Sequence, residues 1–429
     1  NDLWRYNPVT NEWTWMKGSN TLINQNGNYG IINISAPTNN PGGRIGPCSW
    51  TDNSGKLWMF GGFGYGISSG GNLNDLWRYD PVTNEWTWKH GTNTPNQYGN
   101  YGTLSVASTT NNPGGREFPN AWKDAAGDLW LLGGLGFPAT GLQGHLNDLW
   151  KYNIAANTWM WVKGTNAVNQ LGIYGAQNVS APSNNPGGRF ASATWVDPLG
   201  NFWLFGGSGY ATGTFPGRLN DLWKYNTITN EWSWEHGFNV FNMNGVYGTL
   251  QVSAPFTTPG SRYYNTWWKQ NNGTFWLFGG LGFGANGGAV NNLNDLWKFT
   301  TSCSPNNITP TSGLITCSGN SISISAASSA TGTITWYNSP TSTTSIGSGS
   351  LFVTPILSAS GTQTYYTYYV EGSPCPDRTQ ITITVNITPT VTASTDNTLI
   401  CTGTTVTLTA GGANSYTWNT SATGQFLIV

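Results

Sequence analysis

Apolar and polar positions return along this chain in a fixed order. The stretch Asn1-Asp2-Leu3-Trp4-Arg5-Tyr6-Asn7-Pro8-Val9-Thr10-Asn11-Glu12-Trp13-Thr14-Trp15 comes back nearly word for word at Asn74, Asn147 and Asn220, and its opening returns at Asn294. The offsets are 73, 73, 73 and 74 residues. A constant period of this size marks stacked copies of one supersecondary unit, so most apparent motifs here should be architecture.

Each period holds four segments, A to D. Segment A follows Pro-Gly-Gly-Arg at Arg44, Arg116 and Arg189, or Pro-Gly-Ser-Arg at Arg262, and runs through Trp50, Trp122 or Trp195. Segment B is an apolar run ending in Gly-Gly, as in Leu57-Trp58-Met59-Phe60-Gly61-Gly62. Segments C and D lie in the recurring opening stretch, with Leu3 and Arg5 alternating against Trp4 and Tyr6, and Trp13 and Trp15 against Glu12 and Thr14. An uninterrupted apolar strand is covered on both faces, whereas strict alternation belongs to a half-exposed one. B is therefore expected inside and D at the periphery. Asp52-Asn53-Ser54-Gly55 and its counterparts close A to B, and Asn7-Pro8-Val9-Thr10-Asn11 closes C to D, with Gly and Pro where short turns favour them. Each unit reads as a four-stranded antiparallel meander.

The apolar run ending in Gly-Gly, the aromatic pair on C and the Trp on D resemble the kelch repeat, over about 70% of the chain. The departure is length, since kelch units run near 50 residues. The resemblance implies an all-β fold, a β-propeller of the kelch and galactose-oxidase type, in which Trp-rich blades stack around an axis. It also implies partner binding more often than catalysis.

The length changes point to one face. Gly-Gly to the next Asn varies from 13 to 15 residues, and Asn to Arg from 42 to 43, while the Arg to Gly-Gly spacing stays at 17. In a meander the B–C and D–A connections emerge on the same side, so binding is expected on that long-loop face. Candidate ligand-binding residues there are Arg44, Arg116, Arg189 and Arg262, with Tyr65, Phe137, Tyr210 and Phe283. Guanidinium forks and aromatic platforms suit sugars or peptide carboxylates. The same residues, with Tyr29, Tyr101, Tyr174 and Tyr247 of Gly-x-Tyr-Gly, could equally hold the long loops down.

A catalytic residue is needed once and a scaffold residue in every blade. Asp2, Asp75, Asp148, Asp221 and Asp295 recur in register and read as structural. His90 and His236 share a position with Lys17 and Lys163 and read as a tolerant surface site; His145 alone is unrepeated. A copper site of the galactose-oxidase kind would need a His pair and Tyr ligands beside a Tyr crosslinked to Cys, and no His pair meets Cys48, so neither metal nor cofactor is expected. No nucleophile triad or phosphate loop is present.

Composition narrows the partners. Charged residues make up 8% and the net charge is −1, which offers no attraction to nucleic acid. No run of apolar residues is long enough to insert in a membrane. The opening inside a repeat and the stop inside a module read as a fragment, with upstream repeats completing six or seven blades.

Beyond residue 299, residues 300–313 read as a Ser/Thr/Pro/Asn linker. Short strands follow at even spacing, near residues 321–326, 333–338, 351–354, 364–370 and 379–385. Cys317, Trp336 and Cys375 have the order of an immunoglobulin-like sandwich, and residues 314–386 are expected to form one. That likeness implies a Cys317–Cys375 disulfide, in keeping with an oxidising compartment. Cys401-Thr402-Gly403 echoes Cys317-Ser318-Gly319 and opens a second, truncated module over residues 387–429. Both resemble Ig-like modules of large surface and gliding proteins of Gram-negative bacteria, whose sorting domain for type IX secretion often follows. The expectation is an extracellular or outer-membrane-surface adhesion protein, with the propeller of residues 1–299 holding a glycan or protein and Ig-like spacers behind it. The alternative is a non-catalytic accessory propeller of a larger secreted carbohydrate-active enzyme.

Overall fold

A computed structural model describes residues 1–429 apart from 22, 271–273, 301–308, 311–313, 328–333, 339–343, 359–362, 373–374 and 389, with backbone alone for 309–310, 363–372 and 375–380. The chain divides into two compact units, Asn1–Thr301 and Ser302–Val429. Both are built from β-strands, mostly antiparallel.

The first unit holds five successive modules. Module 1 contributes Leu3–Asn7 and Glu12–Lys17, which are strands C and D of the meander. In module 2, strands A to D are Cys48–Thr51, Leu57–Tyr65, Gly70–Asp80 and Glu85–His90. Module 3 repeats them as Asn120–Lys123, Leu129–Gly136, Gly144–Asn153 and Thr158–Lys163. Module 4 has Ala193–Val196, Phe202–Gly209, Gly217–Asn226 and Glu231–His236, and module 5 has Thr266–Lys269, Phe275–Gly282 and Asn291–Phe299. Within each, A pairs B, B pairs C and, where present, D pairs C.

The modules converge on an axis. Phe118 of module 3 lies 4.8 Å from Tyr264 of module 5, ring centre to ring centre, although a whole module intervenes in sequence. Further out, each module packs against its immediate neighbours through aromatic rings. Trp122 stacks on Phe202 at 5.3 Å and Trp195 on Phe275 at 5.1 Å. The indole N–H of Trp50 donates to the Trp122 carbonyl, and that of Trp122 to the Trp203 carbonyl. Radial packing, not a linear array, follows from these contacts.

The Gly-Gly pair explains itself here. Gly133 and Gly134 take positive φ in a bulge of strand B, and a Cβ on Gly133 would stand 2.7 Å from the Arg189 carbonyl of the next module. Only glycine lets the neighbouring backbone come this close.

Strand D is peripheral, yet in modules 2 to 4 its first tryptophan is buried: Trp159 and Trp232 have no exposed surface, and Trp86 has little. The reason is a short outer strand supplied by each D–A loop. Ala107–Ser108 pairs with Met160 and Trp159, Ser180–Ala181 pairs with Ser233 and Trp232, and Ala36 bridges Trp86. This covers the sheet edge.

The position shared by Lys17, His90, Lys163 and His236 is not the tolerant surface site the pattern suggests. Each side chain donates to a carbonyl of the D–A loop, respectively Pro37, Thr109, Pro182 and Pro255. In both histidines Nδ1 accepts the following glycine N–H, so the neutral ring carries its proton on Nε2. The loop latch is thus ammonium in two modules and imidazole in two.

The second unit contains a sandwich. One sheet runs Leu314–Cys317, Cys375–Asn386, Gln363–Gly372, Ile334–Tyr337 and Gly347–Ser348; the other runs Thr309–Pro310, Ser323–Ala327 and Leu351–Val353. Ile324, Ala326, Trp336, Ile381 and Ile383 fill the space between them. Thr309–Pro310, inside the expected linker, already belongs to the sandwich. Residues 392–395, 407–411 and 426–428 make a further three-stranded sheet.

The expected Cys317–Cys375 disulfide is corrected. Cys317 is an exposed free thiol opposite Asn386 on a parallel neighbour, whereas Cys375 starts that neighbouring strand, and its side chain lies outside the described residues. Eleven residues of extended strand between Cys375 and Asn386 span roughly 36 Å, far beyond the reach of about 7 Å between Cα atoms that a disulfide allows. Cys303 also lies outside the described residues.

Three outcomes follow. Trp159→Ala should destabilise the first unit by about 3–5 kcal/mol, read by denaturant titration of tryptophan fluorescence. Reductant should leave the melting temperature of the second unit unchanged, and a drop of several degrees would restore the disulfide. His90 is held below the ordinary imidazole range by burial. Its neutral form therefore stabilises the fold fully above the unfolded value of about 6.5, and that contribution is lost as pH falls through the folded value. Melting temperature should drop between pH 7 and 5, and His90→Lys, the residue of modules 1 and 3, should flatten that drop.

Candidate functional site

The four repeat arginines are interior. Arg116, without exposed surface, sends Nη1 and Nη2 to the two oxygens of Asp148 at 2.7 and 2.8 Å. Its Nε donates to Gly114 O and its Nη1 also to Gly133 O, both at 2.9 Å. Asp148 Oδ2 further accepts the Tyr101 hydroxyl at 2.6 Å and the Trp150 indole N–H at 2.8 Å. The same quartet recurs as Arg44, Asp75, Tyr29 and Trp77, as Arg189, Asp221, Tyr174 and Trp223, and as Arg262, Asp295, Tyr247 and Trp297.

A guanidinium with four of its five donors committed to a buried carboxylate and to backbone, and with no exposed surface, is closed to a ligand. The ligand-binding role expected of Arg44, Arg116, Arg189 and Arg262 is therefore corrected to a scaffold role. Each quartet joins a long loop, strand A, the Gly-Gly carbonyl of B and strand C of one module. Burial pushes the Tyr101 and Tyr174 hydroxyls well above their ordinary range, and the adjoining carboxylates add to it. For Asp295 burial acts upward, but the hydrogen bonds and charge of Arg262 outweigh it and hold the carboxyl below its ordinary value.

Tyr65, Phe137, Tyr210 and Phe283 sit at the B–C turns of the long-loop face, half-buried. The N–H groups of Tyr65, Phe137, Tyr210 and Phe283 donate to Gly43, Gly115, Gly188 and Ser261 of the adjacent D–A loop. Phe137 meets Tyr98 edge-on and Tyr210 meets His145 edge-on. They frame the long-loop face without converging on one point.

A different set converges. Directly after each arginine the modules stop agreeing: Ile45-Gly46, Glu117-Phe118, Phe190-Ala191 and Tyr263-Tyr264. The second member is left-handed every time, with φ of 63°, 49°, 54° and 54°. Glycine takes this conformation freely, whereas Phe118 and Tyr264 carry strain of about 1–3 kcal/mol. Backbone bonds hold them there: Phe118 N–H donates to Gly46 O, Ala191 N–H to Phe118 O and Tyr264 N–H to Ala191 O. These four residues run from module to module around the axis on the long-loop side, and rings of Phe118, Phe190, Tyr263 and Tyr264 contact one another at 4.5 to 6.3 Å.

The second variable position pairs across the sheet with this row. Asn72, His145, Arg218 and Asn292 lie opposite Phe63, Leu135, Ser208 and Leu281 of strand B, which in turn lie opposite Ile45, Glu117, Phe190 and Tyr263. His145 and Arg218 each reach the following module: His145 packs on Phe190 at 5.5 Å, and the Arg218 guanidinium lies 5.4 Å from the centre of the Tyr263 ring. Burial pushes the His145 imidazole down and the Glu117 carboxyl up. The Tyr264 hydroxyl is raised by burial and then by the charge of Glu117. The axial mouth therefore brings together half-buried aromatic rings, one carboxyl, one imidazole and one guanidinium, none of them repeated. The signal in the sequence was variation at fixed offsets from the Arg and the Asn-Asp-Leu-Trp that recur in register.

Removing one partner of a buried, hydrogen-bonded ion pair costs about 3–5 kcal/mol. Asp148→Asn should cost that much, and Tyr101→Phe about 2 kcal/mol, both read by chemical denaturation. If Asp148→Asn proved neutral in stability, the scaffold role would fall.

With this geometry in hand, the likenesses to known proteins fall into place. Residues 54–87 match the kelch motif, and residues 305–389 match the Ig-like domain described as CHU_C associated. A comparison with curated proteins finds no significant match. Among solved structures, one titled "Structure of YjhT" aligns at 17% identity over 66% of this chain and 72% of that one, with a TM-score of 0.35. The N-terminal part of the chain is a kelch-type β-propeller array of four-stranded blades, and an Ig-like domain of the CHU_C-associated kind follows it in sequence.

Proposed function

We propose that this is a bacterial cell-surface adhesion protein that does not catalyse a reaction. Its propeller holds a glycan or protein ligand at the axial mouth of the long-loop face, and its Ig-like modules serve as spacers outside the cell. One observation carries the reading: a frame that repeats its buried ion pairs and tryptophans in register departs from itself at the mouth. Scaffold chemistry is needed in every blade, while recognition chemistry is needed once. Aromatic rings at half exposure suit the apolar faces of sugar rings or the side chains of a partner.

The exposed apolar side chains at the C–D turns of the opposite face fit less well. Val9, Val82 and Ile228 stand at the tips of separate C–D turns and do not form a patch. Singly scattered apolar residues need no partner.

The test is a glycan array together with pull-down from bacterial surface extracts, using the full chain. Phe118→Ala combined with Tyr264→Ala should abolish binding while the chain stays folded by circular dichroism, and Val82→Asp with Ile228→Asp should leave binding intact. Binding that survives the first pair and disappears with the second would move the site to the opposite face and end this reading.

A further inference from the structure

Arg218 differs from the four arginines of the quartets; it shares a shielded, acceptor-free Nε with Arg78, which lies over Trp58, but only Arg218 stands at the mouth, over Tyr263. The guanidinium groups of Arg44, Arg116, Arg189 and Arg262 each grip a carboxylate. Arg218 is half-buried, and its Nε is shielded from solvent without any acceptor. Among the described residues no carboxylate comes within ion-pair distance of it, and its one side-chain partner is the face of Tyr263. A desolvated donor without an acceptor costs about 1–3 kcal/mol, more when charged, so such a group in a native fold asks for a partner.

The backbone around Arg218 is firmly held. Its N–H donates to Asn242 Oδ1 at 2.9 Å, and its carbonyl accepts from Asn242 N–H at 2.8 Å. Asn242 is itself left-handed, at φ 60°. Asn169 clasps His145 and Asn96 clasps Asn72 in the same way. The clasp is scaffold and repeats; the guanidinium it presents does not. The Tyr263 ring that carries it also touches Tyr264, 48% exposed, at 4.5 Å.

We infer that Arg218 and Tyr264 form the anionic subsite of the mouth and that its ligand is an acidic polysaccharide, a sugar ring bearing a carboxylate. This rests on the binding role proposed above and narrows it. The carboxylate takes the two terminal nitrogens of Arg218, which unlike Nε are not shut off from solvent, in fork geometry, and the ring lies against the exposed aromatic face. Tyr263 backs the cation on the other side. Aromatic planes at half exposure favour a sugar over an acidic peptide, which would need backbone partners that the clasped loops have already used.

The experiment is calorimetric titration of the full chain with three probes: polygalacturonate oligomers, neutral cello-oligosaccharides of matched length and oligoglutamate. Wild type should bind polygalacturonate best, and raised salt should weaken it. Arg218→Gln should weaken polygalacturonate at least tenfold, Arg218→Lys less, with the melting temperature of both unchanged. Polygalacturonate binding equal in wild type and Arg218→Gln overturns the inference. So does oligoglutamate binding as tightly as polygalacturonate with the same dependence on Arg218, which makes the ligand an acidic peptide. Binding of the neutral probe alone, lost in Tyr264→Ala, overturns the anionic subsite and leaves the wider adhesion reading standing. Absence of binding to all three probes also overturns it, and the array and pull-down then decide the wider reading separately.

Discussion

The buried pairing of arginine with aspartate organises the first unit. Taking two charges out of water is expensive, and only good geometry with every remaining lone pair and proton occupied offsets it. The quartets come close to that condition: in module 3 two forked bonds, a hydroxyl and an indole N–H satisfy the carboxylate, while two backbone carbonyls take two of the three remaining guanidinium protons. The chain separation of the partners is what makes this decisive. Tyr101 and Asp148 are 47 residues apart, and Arg116 and Asp148 are 32 apart, so one cluster closes a long loop, an inner strand and a central strand at once. Tryptophan packing then joins module to module, but it acts on blades whose long loops are already held.

Such a frame also explains how a chain with few charges carries loops of this length. The long D–A segments are rich in Asn, Gly and Thr and bury little apolar surface, so hydrophobic burial alone would leave them loose. Instead they are tied at several points: the quartet Tyr, the Lys or His latch, the left-handed Asn clasp and the short outer strand on strand D. Asn39, Asn111 and Asn184 add another tie by donating to carbonyls of strand D.

Much of this was legible in the sequence. The period, the order of strands and the placing of all variable connections on one face followed from apolar runs, turn residues and length differences. The scaffold role of Asp75, Asp148 and Asp221 was legible because they recur. The arginines recur as faithfully, and the same reasoning assigns them to the frame; their chemistry alone suggested ligands, and recurrence proved the better guide. Left-handed Phe118 and Tyr264 were not legible, because neither residue prefers that conformation and only contacts with adjoining modules impose it. The two-residue outer strands were too short to carry a periodic signal. In the second unit the Cys, Trp, Cys order suggested a disulfide that the parallel register of Leu314–Cys317 on Cys375–Asn386 does not permit.

Strain at the mouth and saturation below it belong together. A phenylalanine or tyrosine at positive φ persists only where surrounding bonds over-determine the backbone, and here each such residue lies two positions after an anchored Arg and is bonded to a neighbouring module. The same clamp lets the sequence change at the mouth without loosening the blade, since Ile45, Glu117, Phe190 and Tyr263 occupy one structural position with aliphatic, acidic and aromatic side chains. Stability and the recognition proposed above are thereby separated within three consecutive residues: the arginine faces inward and is spoken for, and the two residues after it are free to differ. An unpaired Arg218 can persist in that setting because the blade beneath it does not depend on its charge.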